Sequence, residues 1–179
     1  MRRLIFIAAI TCWTMTGCSQ NETRPDTLKK EKTAGMLYQC GTNAPEPGGY
    51  VNDYIHVLTS EQFAVLDSLI SAHEKSTSNQ IAILTVDSAM LGNCDVKDYG
   101  QAIGNVWGVG QKDKNNGVVI VLAPFLHKVS ISNAYGIEEK LSDEATKKII
   151  DEVMIPEFKN KGYFEGLRKG LLSIMEKIK

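Results

Sequence analysis

The chain has 179 residues, 20 Lys+Arg against 21 Asp+Glu, and is 43% hydrophobic and 23% charged, which is enough for one domain with a real core and hardly for two. A formal net charge of −1 and a pI near 6.3 exclude a broad cationic face, and 7% aromatic residues leave little for a base-stacking platform. Nucleic acid is therefore not an expected partner.

The N-terminus reads as an address. Met1-Arg2-Arg3 is a short positive region, and Leu4 to Met15 is mostly apolar. This run is shorter than the ~20 residues that span a bilayer, so it reads as a secretory signal. It ends Met15-Thr16-Gly17-Cys18, which resembles the lipobox of bacterial lipoproteins. There, small residues precede a Cys that is acylated and becomes the mature N-terminus, and Met15 stands where Leu is usual. The expectation is a signal peptide over residues 1–17 and lipidation of Cys18, giving an anchor of two or three acyl chains in the bilayer. Ser19, rather than Asp, follows the Cys; by analogy with enteric sorting this favours the outer membrane and an extracytoplasmic, periplasm-facing location in the cell envelope. Removing Arg2 and Arg3 leaves 18 basic against 21 acidic groups.

Residues 18–48 are rich in Thr, Lys, Glu, Gly and Pro and read as a flexible tether; the folded domain is expected over 49–179. Cys12 leaves with the signal, so Cys40 and Cys94 remain. A disulfide between them is possible in an oxidising compartment and would pin the tether to the domain, although nothing local dictates it. No Cys or His spacing suggests zinc.

Within the domain, Thr59-Ser60-Glu61-Gln62 is a capping box, followed by Phe63, Leu66, Leu69, Ile70 and His73 at helical spacing. Ile81–Val86 is a short continuous apolar run, as in a strand buried on both faces. Asp95 caps a helix carrying Val96, Tyr99, Ile103 and Val106/Trp107, which Gly108 and Gly110 end. Val118–Ala123 is a second buried strand, 124–127 a tight turn, and Val129–Ser132 an alternating strand folded back on it. Ser142 caps a third helix with Ala145, Ile149, Ile150 and Val153 on its buried stripe. Phe164, Leu167, Leu171, Ile174, Met175 and Ile178 mark a fourth. Strand, helix and strand over 81–123 form one βαβ crossover with parallel strands. The expected fold is a three-layer α/β/α sandwich: a mixed sheet with a parallel βαβ core and an antiparallel edge strand.

That topology predicts which loops meet. The parallel strands start at one end of the sheet and the edge strand finishes there, so Ser76–Asn79, Gly110–Asn116 and Asn133–Glu139 should cluster. Asp113, Asn115, Asn116, Tyr135, Glu138 and Glu139 then bring carboxylate, amide and phenol oxygens together, and Gly117 and Gly136 allow close backbone approach. Hard oxygen ligands suit Ca²⁺ or Mg²⁺. On spacing alone, the plainer reading is that Asn-Asn-Gly and Tyr-Gly are turns and Glu138/Glu139 a solvated face.

A series of short matches runs along the chain. It begins with Tyr50-Val51-Asn52-Asp53, Leu58-Thr59-Ser60-Glu61-Gln62 and Thr77-Ser78-Asn79-Gln80-Ile81-Ala82-Ile83. Trp107-Gly108-Val109-Gly110, Asn115-Asn116-Gly117-Val118-Val119-Ile120-Val121, Tyr135-Gly136-Ile137-Glu138 and Leu141-Ser142-Asp143 follow. The last are Ile155-Pro156-Glu157-Phe158 and Gly162-Tyr163-Phe164-Glu165-Gly166-Leu167. In order and spacing, Gly49–Lys179 resembles the TPM domain family. The resemblance implies an α/β/α fold in proteins carried behind export signals. Acid phosphatase activity is assigned to some members, calcium binding to others, and maintenance of membrane complexes to others. It matches Asp53 to an acidic position after the first short strand, Asn115 and Asn116 to an Asp/Asn-Asn-Gly loop, and Tyr135, Gly136 and Glu138 to a Gly-Tyr-Gly-x-Glu turn. Ala134 replaces the first Gly of that turn, and Ser130 stands where relatives often carry Arg, which removes a bidentate phosphate clamp.

Two functions follow as expectations. In the first, the chain is a Ca²⁺-binding (or Mg²⁺-binding) module that assists an envelope membrane-protein complex, with Asp53, Asp113, Asn115, Asn116 and Glu138 as ligands. In the second, it is a metal-dependent acid phosphatase acting on phosphomonoesters. The ion held by Asp53, Asp113 and loop oxygens would then polarise the phosphoryl group, with Asp53 and Glu138 as the catalytic carboxylates and Glu138 as base. The sequence has no Cys-x5-Arg phosphatase loop and no phosphate-cradling Gly loop. Lys112 and Lys114 lie in the same loop, where Lys is ordinarily solvated.

Overall fold

The computed structural model describes Cys40 and residues 44–179. The signal segment, the lipobox with Cys18 and the tether up to residue 39 lie outside the described residues. A four-stranded sheet in the order β1-β2-β3-β4 forms the middle layer, with β1 Val51–Asp53, β2 Gln80–Thr85, β3 Gly117–Ala123 and β4 Lys128–Asn133. β1, β2 and β3 are parallel, and β4 is antiparallel to β3. This is the mixed sheet expected from the βαβ unit and the returning edge strand.

Strand alternation divides the core in two. Ile81 and Ile83 of β2, with Val118, Ile120 and Leu122 of β3, point to one face. There they meet α1 (Ser60–Thr77) through Leu66 and Ile70, and α7 (Tyr163–Lys177) through Leu167, Leu171 and Ile174. Ala82, Leu84, Val119 and Val121 point to the other face. α2 (Ser88–Leu91) and α3 (Val96–Trp107) cover it through Leu91, Val96, Tyr99 and Ile103. Each fully buried Leu or Ile contributes about 1.5–3 kcal/mol by leaving water, so the continuous apolar runs of β2 and β3 are the centre of the fold. The caps read from sequence are in place: Thr59 and Gln62 form a reciprocal capping box, Asp95 and Ser142 accept from the first turns of their helices, and Gly108 closes α3 in the left-handed region.

Three features go beyond the sequence reading. α4 (Tyr135–Glu138) is a short helix in what reads as a turn. The third predicted helix is longer than its apolar stripe: α5 (Asp143–Lys148) runs through a π-helical segment, Ile149–Met154, into α6 (Ile155–Lys159). The wide turns lie immediately before Pro156, which has no N–H to donate. They rotate the stripe, so Met154 is fully buried while Ile150 and Val153 are only half-buried. Met154 packs on Gly170 of α7, where an added Cβ would come within 2.7 Å of its side chain.

The third feature corrects the end of the expected tether, because residues 44–48 are docked as a strap. Trp107 Nε1 donates to Pro45 O at 2.8 Å, Tyr54 Oη to Glu46 O at 2.8 Å, and Gly48 N to Asn52 Oδ1 at 2.7 Å. Ala44 packs with the α3-side core. Cys40 is disulfide-bonded to Cys94, with Cα atoms 5.7 Å apart. α3 sits over β3 and β4. The strap contacts the end of α3 and the loop after β1, so chain that reads as polar linker seals a face left open by the single long helix.

Candidate functional site

The three loops expected to meet do meet, at the amino end of the parallel strands. Gln80, the first residue of β2, lies beside Gly117, the first of β3. Gln80 N donates to Asn116 O at 3.1 Å and Gly110 N to Gln80 Oε1 at 2.6 Å. Asn116 Nδ2 donates to Ser78 O at 2.7 Å, while its Oδ1 accepts from Gln111 N at 2.8 Å. Lys114 Nζ reaches Ser78 Oγ at 3.0 Å. From the third loop, Gly136 N donates to Asn115 O at 2.9 Å. A Cβ on Gly136 would stand 2.0 Å from Lys114 O, and one on Gly117 2.1 Å from Val109 O, so both positions need glycine for close backbone approach rather than for a left-handed dihedral.

Beside this junction a cleft of about 350 Å³ opens between α3 and β4. Gln101 and Asn105 line it from α3, Gln111, Lys112 and Asn115 from the second loop, and Ser132, Asn133, Tyr135 and Glu138 from the end of β4 and α4. Tyr135 is 82% exposed at its rim. Asn133 is anchored from behind: its Nδ2 donates to Leu141 O at 2.9 Å and Thr146 Oγ1 at 3.0 Å, and its Oδ1 is buried without a partner among the described residues. The lining holds one carboxylate, one ammonium and five side-chain amides. Such a surface hydrogen-bonds polar groups in either sense and carries little net charge.

The residues predicted as metal ligands do not form one site. Asp53 is at the opposite, carboxyl end of the sheet, paired in register with Thr85. Six β2 residues, roughly 17 Å of strand, separate that end from the loop cluster. Its carboxylate is occupied locally: Val57 N donates to Oδ1 at 3.2 Å, Leu58 N to Oδ2 at 2.8 Å, and Thr85 Oγ1 also bonds to Oδ1. This shapes the turn into α1. The resemblance matched Asp53 to an acidic position after the first short strand; it is the last residue of β1, and a parallel β1 ends where β2 and β3 end. Asn116 is only 4% exposed, and both ends of its amide are used between the loops. Asp113 is exposed on the second loop and does not line the cleft. Of the predicted set, Asn115 and Glu138 line the cleft, with Tyr135 at its rim. Among the described residues, no group of three or more His, Cys, Asp or Glu side chains is placed to hold a metal ion. Since Ca²⁺ takes six to eight oxygens, the five predicted ligands do not fit a single ion, and Glu138 with Asn115 would leave most of its coordination sphere to other donors.

Sequence reasoning missed Gln101 and Asn105. Their signal is the i, i+4 spacing of two amides on the polar side of α3, which reads as an ordinary solvated face until β4 is placed beside it.

The TPM domain family model matches residues 51–177. Three solved structures, all determined in solution by NMR, share the fold. The N-terminal domain of a protein from P. gingivalis is 28% identical with a TM-score of 0.65, covering 79% of this chain and 85% of that one. The BA42 protein of the psychrophilic bacterium Bizionia argentinensis is 22% identical with a TM-score of 0.59, covering 70% and 83%. The N-terminal domain of the cg2496 protein from Corynebacterium glutamicum is 14% identical with a TM-score of 0.53, covering 75% and 81%. No curated protein matches the chain.

Proposed function

This chain belongs to the TPM domain family, and from that premise we propose that it is an extracytoplasmic binding module, held to the bilayer through acylated Cys18, that engages an envelope membrane-protein complex through the amino-end cleft. The observation that supports this reading is the lining of the cleft: five amides with Glu138 and Lys112, a surface suited to a polar segment of a partner. A Ca²⁺ ion is part of the proposal as a bridge, with Glu138 and Asn115 donating from this side and the partner or water supplying the rest. Sites with so few charged ligands have millimolar-range affinity, as in extracellular modules.

The phosphatase reading ranks second. Lys112 is the cationic side chain in the cleft, and Asp53 is not there. Ser130 is 5% exposed and donates to Val96 O at 2.9 Å, so no guanidinium stands at that point of β4. The test is calcium titration of the mature chain, residues 18–179, by calorimetry with thermal melting, alongside a phosphomonoester assay with and without the ion. Weak binding that Glu138→Gln removes, with no turnover, supports the module. Divalent-dependent turnover lost in Glu138→Gln would replace the module with the phosphatase. No heat at millimolar calcium would remove the ion and leave the cleft as a direct contact surface.

A further inference from the structure

The tip of the β3–β4 hairpin, at the carboxyl end of the sheet, carries two exposed apolar side chains. Pro124 is buried and starts a single 3-10 turn, while Phe125 is 72% exposed and Leu126 40%. His127 follows in the left-handed region, then Lys128, so the tip is apolar residues followed by basic ones. Lys128 Nζ pairs with Asp95 Oδ2 at 3.3 Å, which neutralises the nearest carboxylate and ties the tip to the start of α3. Asp95 adjoins Cys94, and Cys94 is bonded to Cys40. The chain that leads back towards the anchor therefore joins the fold beside this hairpin. The stretch from Cys18 to Cys40 reaches no further than about 75 Å even when fully extended. The end of the domain closest along the chain to the bilayer is also the end that presents Phe125 and Leu126.

We infer that this hairpin tip is a membrane-contact element: Phe125 and Leu126 enter the headgroup–acyl boundary of the bilayer that holds Cys18, with His127 and the Lys128–Asp95 pair at headgroup level. Two apolar side chains alone bind a bilayer weakly. Tethering makes the contact intramolecular and raises the local concentration of lipid enough for a weak contact to persist. The amino-end cleft, at the other end of the sheet, then faces away from the lipid. This inference rests on the anchored-module reading.

The test uses the lipidated mature protein, residues 18–179, in vesicles of phosphatidylethanolamine and phosphatidylglycerol, with and without brominated acyl chains. Phe125→Trp is compared with Val106→Trp, which places the probe on an exposed position near the other end of α3, each in a Trp107→Phe background. Emission from the indole introduced at position 125 should shift to shorter wavelength on reconstitution and be quenched by the brominated lipid. The indole introduced at position 106 should keep its emission in both kinds of vesicle. Flotation with vesicles, and its loss in a chain that begins at Ser19 and carries no lipid, reads the anchor separately. A chain that floats with its hairpin indole unquenched overturns the membrane-contact inference and leaves the anchor standing. A chain that does not float removes both. Hairpin emission already blue-shifted in lipid-free and detergent-free buffer, in a chain that begins at Ser19, together with a concentration-dependent mass of two copies, assigns the tip to a dimer contact and also overturns the inference.

Discussion

Opening the Cys40–Cys94 bond should lower stability by a calculable amount. The bond closes a loop of sequence separation 54. The chain-entropy relation gives about 14 cal/mol/K for that loop, or about 4 kcal/mol at 25 °C. For a domain of this length the unfolding entropy places the resulting fall in melting temperature at roughly 14 °C. The strap makes the loss larger rather than smaller, because the bonds to Pro45 O, Glu46 O and Gly48 N no longer have a fixed end. The assay is thermal melting of the oxidised mature chain against the Cys40→Ser/Cys94→Ser variant, both without reductant, with wild type plus reductant as a third sample. The reduced sample and the double-Ser variant should melt together and well below the oxidised one. Melting of all three within about 2 °C of one another would refute the reasoning, since the fall expected from loop closure is several times larger; it would mean that the Cys40–Cys94 bond adds nothing to the stability of the folded state.

Other expectations are narrower. Asn116→Ala leaves Ser78 O and Gln111 N without their bonds in a half-buried place and should cost about 1–2 kcal/mol by denaturant titration; an unchanged midpoint would show that the amide does not hold the loops. Tyr99 is fully buried with no partner for its hydroxyl among the described residues, and burial pushes that phenol up to about 12. Tyr99→Phe should therefore leave stability equal or higher, by up to about 1 kcal/mol, and a marked loss would reveal a hydrogen bond. His73 is buried, with Nε2 unpartnered among the described residues; burial, with Lys179 nearby, lowers it from its ordinary 6.5. The unfolded chain therefore binds the proton more readily. Stability should be full above pH 6.5, fall as the pH drops below it towards the folded-state value, and lose that slope in His73→Leu, as read from melting temperature across about pH 5–8.

Much of the fold was legible because its signals are local. The runs 81–86 and 118–123 are too short and too apolar for anything but central strands, and Thr59, Asp95 and Ser142 mark helix starts by hydrogen-bonding chemistry that does not depend on the rest of the chain. Strand direction followed from the βαβ rule, and with it the meeting of the three loops. The π segment was not legible, since no side-chain period marks a widened turn, and Pro156, which follows it, lies beyond the apolar stripe. The strap was not legible either: Pro45, Glu46 and Gly48 contribute backbone carbonyls and an amide, which no side-chain pattern announces. The candidate site was half legible. Asn115, Tyr135 and Glu138 came from topology, whereas Asp53 was assigned by motif and its β1 ladder carries it to the far end. Asn116 was read as a ligand by residue type, and both ends of its amide are taken up within the fold.

The clasp also has a consequence in time. For an exported chain, thiols stay reduced in the cytosol and pair only after translocation. The precursor would cross the membrane without Cys40–Cys94, short of the stability worked out above and with its strap unfastened at one end. Oxidation on the far side would then act as a one-way latch: the same bond that orders the entry of the chain beside the hairpin would separate a form loose enough to thread from a form firm enough to work.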